Sequence, residues 1–100
     1  MTSTTLPDFR CSIETILTDY PGDEPKEMEE RMKAILAQRH IVPVAVLKAL
    51  GIGEESLSNI LVRLRRDGLT VWYADAGKDI HNVTISRESQ LKLWHQGYPG

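Results

Sequence analysis

From residue 26 to 40 the apolar residues Met28, Met32, Ile35 and Leu36 return at helical spacing, while Glu27, Glu29, Glu30, Arg31 and Lys33 cover the other sides. This spacing predicts an amphipathic helix. Pro25 suits its first turn, and acids lead while bases follow, as the helix dipole prefers. The methionines fill core. After "HIV", Pro43 opens a shorter helix with Val46, Leu47 and Leu50 inward, which Gly51 ends by taking a left-handed conformation. Residues 54 to 67 form a third helix with Leu57, Ile60, Leu61 and Leu64 on one face and Gly68 as its stop. The period then changes. "TVWYA" and "HNVTI", rich in β-branched and aromatic residues, flank "DAGKD" and predict an antiparallel hairpin. Ser86 can cap a last helix running through Gln96, whose apolar content is Leu91, Leu93 and Trp94, before "GYPG" closes the chain. Ahead of all this, Ile13, Ile16 and Leu17 form one short apolar cluster, followed by the breakers Pro21, Gly22 and Pro25. Residues 1 to 10 read as mobile and 11 to 19 as a short helix.

The stretch "AVLKALGIGEESLSNILVRLRRDG" places two helices either side of a glycine turn. Leu47 and Leu57 must meet across the crossing helices, and Gly51 lets the chain turn sharply between them. In its order of helix, helix, tight turn, helix and hairpin the chain resembles a winged helix-turn-helix domain of bacterial or phage type over residues 26 to 85. Leu47, Gly51, Leu57 and Ile60 fall on the positions of that family's pattern. The family more often has alanine where this chain has Leu47, which widens the crossing. "LVRLRRDGLTV" looks like a recognition helix passing through a glycine into the first wing strand of many bacterial regulators. The expected fold is mostly α with a small β-hairpin: an acidic N-terminal arm with a short helix (1–25), the winged helix-turn-helix domain (26–85), and a C-terminal helix and tail (86–100).

The resemblance implies that the third helix enters the major groove and the wing reaches a backbone or the minor groove. At about 100° per residue, the face opposite the leucines is centred on Glu55, Asn59, Val62 and Arg66, flanked by Ser56, Ser58 and Arg63. Asn59 suits adenine, Arg63 or Arg66 guanine, and Val62 a thymine methyl, while Ser56 and Ser58 can donate to phosphate. Lys48 and the wing's Lys78, together with Gln38 and Arg39, are further phosphate candidates. Two features oppose this reading. Glu54 and Glu55 stand in the first turn, where phosphates repel them, and Asp75 and Asp79 offset Lys78. Arg63, Arg65 and Arg66 also stabilise a helix C-terminus with no ligand at all.

Composition narrows the remaining choices. One hundred residues, 41% of them hydrophobic, suit one domain with a modest core. A net charge of −2 gives no global attraction to nucleic acid, so any basic surface is local. Residues 1 to 25 carry one base and five acids, −4, against 11 bases and nine acids in the remainder, +2. A lone cysteine, Cys11, excludes an intrachain disulfide, and the absence of a long apolar run or a signal-like start gives the expectation of a soluble cytoplasmic protein without membrane contact. His40, His81 and His95 are scattered, and no zinc spacing, phosphate-cradling loop or nucleophilic triad is visible. The expectation is a non-enzyme without metal or cofactor. The expected function is sequence-specific binding of double-stranded DNA, as a small transcriptional regulator. A homodimer is expected, with one of the apolar terminal segments packed across it. The alternative is a winged-helix interaction module, an adaptor or inhibitor, that engages a protein through Glu55 and Val62.

Overall fold

In the computed structural model, which describes residues 6 to 75 and 81 to 99, the elements run α1 (Leu6–Asp19), α2 (Pro25–Gln38), β1 (Ile41–Pro43), α3 (Val44–Ala49), α4 (Glu54–Arg66), β2 (Val71–Asp75), β3 (His81–Ile85) and α5 (Arg87–His95). Among the described residues the fold is five helices and a three-stranded antiparallel sheet of order β1-β3-β2. Val42 pairs with Val83 and Val71 with Ile85, and all four are buried, so this face of the sheet closes the helical core. The core itself contains the anticipated residues of α2, α3 and α4: Met32, Ile35, Leu36, Val46, Leu47, Leu50, Leu57, Ile60, Leu61 and Leu64. No helix among the described residues is long and apolar enough to cross a membrane.

Several expectations need correction. The first helix begins at Leu6, within the stretch read as mobile; Pro7 stands in its first turn, where a missing N–H costs no helical hydrogen bond. Ile16 is buried in the chain's own core, with Ile13 and Leu17 packed against it, and α1 lies on α2 and α3. The hairpin gains a third strand, β1, from the "HIVP" connector. A three-residue strand has no periodicity to read, and its partner β3 lies about forty residues further on. Pro43 therefore ends an edge strand and caps α3 from outside rather than opening the helix, which fits a residue without an N–H to give the ladder. In α5, Ser86 caps as expected, its Oγ accepting from Ser89 N–H at 3.1 Å, but only Leu93 of the three apolar residues is buried. Leu91 and Trp94 are exposed. Trp94 sends its indole N–H to Ala37 O at 2.8 Å, and the Gln90 amide donates to Leu36 O at 2.9 Å, so α5 satisfies two carbonyls at the end of α2.

The largest departure is Arg31, assigned to a solvent-facing side of α2 by its charge. Its side chain is buried, and the guanidinium donates to three backbone carbonyls: Tyr20 O at 2.8 Å, Gly22 O at 2.5 Å and Leu50 O at 2.9 Å. The planar fork matches three divergent acceptors, which a burial rule based on charge does not foresee. Arg31 thereby joins the loop after α1 to the end of α3, next to the turn that launches α4.

Candidate functional site

The placement of α4 follows from the turns at its two ends. At Gly51 the backbone takes φ +83°, Gly51 N–H bonds Lys48 O at 2.9 Å and Ile52 N–H bonds Leu47 O at 2.9 Å. At Gly68 the same pattern recurs, with φ +92°, Gly68 N–H to Arg65 O at 3.0 Å and Leu69 N–H to Leu64 O at 3.0 Å. Both are Schellman turns, in which a left-handed glycine lets two N–H groups close back on the helix, and the following residue, Ile52 or Leu69, drops into the core. Gly53, the N-cap of α4, has no side chain to cap with. Glu54 and Glu55 instead place carboxylates in the first turn, where the unpaired N–H groups and the dipole favour them.

The exit from α4 is fastened as firmly as the entry. Arg65 Nε–H donates to Val71 O at 3.0 Å, Lys92 Nζ to Gly68 O at 2.9 Å, and Thr70 N–H to Ser89 Oγ at 2.7 Å. The last two come from α5. The C-terminal helix therefore holds the link between α4 and β2, which orients the helix and the hairpin relative to one another.

With Leu57, Ile60, Leu61 and Leu64 buried, α4 exposes Glu54, Glu55, Ser58, Asn59, Val62, Arg63, Arg65 and Arg66. Ser56, Asn59, Ile60, Val62, Arg63 and Arg66 line one side of an open cleft of about 340 Å³, and Pro25 and Met28 of α2 form the other. Five of the eight sequence candidates thus share one concavity: Ser56, Asn59, Val62, Arg63 and Arg66. The other three do not join them there. Ser58 is exposed on α4 and hydrogen bonds to the Tyr73 side chain on β2. Burial raises the Tyr73 pKa, the Ser58 hydrogen bond works against that rise, and the Glu54 charge adds to it. Lys48 is exposed on α3 outside the cleft. Lys78 lies outside the described residues, as do its neighbours from 76 to 80.

The three arginines at the end of α4 differ in their partners. Arg65 is committed to Val71 O. Arg63, 56% exposed, lies 3.5 Å from Glu29 on α2, whose other carboxylate oxygen is 3.4 Å from Lys33. Arg66 has no partner among the described residues. Its charge is the one left for an incoming anion without breaking a contact. Glu29, Met28 and Pro25 escaped the sequence reading because each fits α2's own amphipathic pattern; only the packing of α2 on α4 brings them to this face. Periodicity along one helix carries no signal for a neighbour across an interface.

The cleft offers hydrogen-bond donors from two guanidiniums, an amide and a hydroxyl, beside the apolar surface of Met28, Ile60 and Val62. Such a set accepts anions and the acceptor edges of bases. Among the described residues no group of three His, Cys, Asp or Glu is placed to hold a metal ion. No family model matches the chain, and no curated protein and no solved structure matches it either.

Proposed function

We propose that the protein is a winged helix-turn-helix DNA-binding protein, a small transcriptional regulator that acts by occupying a duplex site with α4 in the major groove. The observation that carries this reading is the exposure of Asn59, Val62, Arg63 and Arg66 together on a helix whose opposite face is buried. A helix of this kind presents base-reading side chains at the spacing the groove requires. The order α2-β1-α3-α4-β2-β3, with β1 paired to β3 and a left-handed glycine between α3 and α4, supports the fold assignment. Since few cations serve this face, a homodimer reading two half-sites supplies the affinity that one copy lacks.

The test is binding to random-sequence duplex DNA across a salt series. Affinity should fall steeply with salt, at a slope of about −0.9 per phosphate neutralised, and Arg66→Ala should reduce the slope by about 1. Binding that is undetectable at low salt contradicts the proposal.

A second reading has its own observation. Val62 is 46% exposed at the mouth of a cleft that also contains Met28 and Ile60, and Glu54 and Glu55 stand exposed at the start of the same helix. An apolar patch rimmed by charge suits docking on a protein. On that reading Val62→Asp and Glu55→Lys each abolish partner binding, whereas on the DNA reading Glu55→Lys strengthens non-specific duplex binding by replacing a repelled charge with an attracted one.

A further inference from the structure

Glu29 has no role in the DNA reading as stated, yet it is the group that touches Arg63. Its carboxylate bridges two cations, Arg63 on α4 at 3.5 Å through one oxygen and Lys33 on its own helix at 3.4 Å through the other. The carboxylate side chain is only 18% exposed, while that of Arg63 is 56% exposed, so the acid is held between the helices and the guanidinium extends past it into solvent. Lys33 is further fixed by lying 6.0 Å from the centroid of the Tyr98 ring. The contact thus joins a restrained acid to an exposed base at the wall of the cleft.

We propose that Glu29 is a specificity-determining positioning residue: it holds Arg63 for base contact and keeps it from serving as a general phosphate anchor. This rests on the DNA reading of α4. Two physical effects act in the same direction. A guanidinium has five N–H donors; one Nη faces Glu29, and the remaining donors stay available to a planar acceptor pair such as a guanine edge, which needs a fixed approach. The carboxylate also repels any phosphate that approaches Arg63, so an anion without base-edge geometry must compete with Glu29 for the same charge. Arg66, in the same cleft and without a partner among the described residues, is the contrasting residue: it serves any phosphate equally.

Exposed ion pairs of this kind contribute about 0.2–1 kcal/mol, which corresponds to roughly one-and-a-half- to fivefold in an equilibrium constant. The experiment is a double-mutant cycle on Glu29→Gln and Arg63→Ala, with labelled random-sequence duplex as the probe at ~50 and ~200 mM salt. Glu29→Gln should tighten random-duplex binding by about two- to fivefold at the lower salt, and a selection from a random library should lose base preference at one position. In the Arg63→Ala background the same change should have almost no effect. Equal tightening in both backgrounds makes Glu29 a diffuse charge and overturns the positioning role. No change in either background also overturns it. Binding by neither wild type nor variant overturns the DNA reading itself, so the two failures are distinguishable. Gln preserves the side-chain shape, and Glu29→Ala, with the same expected direction, is the second variant should thermal unfolding show Glu29→Gln to be impaired.

Discussion

Replacing Arg31 with methionine keeps most of the side-chain volume and removes all three hydrogen bonds, to Tyr20 O, Gly22 O and Leu50 O. Two effects compete. Taking a guanidinium out of a buried site relieves its desolvation, and exchanging a buried ion pair for apolar groups is often neutral. Here, however, the acceptors are backbone carbonyls, which remain after the substitution. The bonds to Tyr20 O and Gly22 O are partly buried, so water can replace the donor in part; the bond to Leu50 O is fully buried, and that carbonyl would be orphaned. Hydrogen bonds to a charged group contribute about 1.5–3 kcal/mol each, and an orphaned buried acceptor costs about 1–3 kcal/mol. Allowing for rewetting and for the relieved desolvation, the net loss should be about 3–5 kcal/mol, a large fraction of a typical 5–15 kcal/mol total. The assay is equilibrium urea unfolding of wild type, Arg31→Met and Arg31→Lys. The midpoint of Arg31→Met should fall with little change in slope, and its Tm should drop by at least about 12 °C. Arg31→Lys should recover less than half of the loss, because one ammonium cannot reach three divergent carbonyls. Wild-type stability in Arg31→Met would refute the reasoning and show that relieved desolvation balances the lost bonds.

Two further outcomes follow from the turn glycine and the C-terminal tail. Gly51→Ala should cost about 1–2 kcal/mol or more, since the backbone there has φ +83° and the added Cβ would lie 3.0 Å from Arg31 Nη1, whereas Gly53→Ala, at φ −81° with nothing within 4 Å, should lose only the preference for glycine over alanine at a helix N-cap, under about 1 kcal/mol; a larger loss at Gly53 than at Gly51 on thermal melting would contradict the turn assignment. Burial, then the Tyr98 O–H hydrogen bond to the Glu30 carboxylate and that carboxylate's charge, raise the Tyr98 pKa well above the ordinary 10.0, so the folded state holds the proton that the unfolded chain releases. Its stabilisation is complete below about pH 10 and is lost as pH rises further towards the folded value. Tyr98→Phe should cost about 1–3 kcal/mol at neutral pH and flatten the alkaline decline, with Tyr20 and Tyr73, both also raised, supplying the residue; urea unfolding at pH 7 and above pH 10 checks this, and an unchanged alkaline slope would contradict it.

Legibility from sequence divided along physical lines. The faces of α2, α3 and α4 were readable because a buried face repeats every 3.6 residues, and the turns at Gly51 and Gly68 because left-handed backbone selects glycine. Arg31 was misread for the complementary reason: periodicity marks which way a residue points, but a charged one is assigned outward unless its distant acceptors are known. β1 needed β3 to define it, as an edge strand of three residues has meaning only in pairing. At the site, the exposed row of α4 followed from the helix alone. The wall formed by Pro25 and Met28, the Glu29 contact to Arg63, and the Ser58 contact to Tyr73 all arise between elements, where a single sequence has no periodic signal. The tethering of Arg63 to Glu29 and of Arg65 to Val71 O has the same origin.

The central claim is that the exposed face of α4 reads duplex DNA, and the most direct measurement is a selection from a random duplex library performed with wild type and with Asn59→Ala. Asn59 is exposed on α4, and its removal should leave the fold intact. The account predicts an enriched motif with wild type and the same motif with Asn59→Ala, except for lost preference at one position, equivalent to about 1–3 kcal/mol of discrimination. Absence of any enriched motif with wild type, under salt conditions low enough to retain non-specific binding, would contradict it.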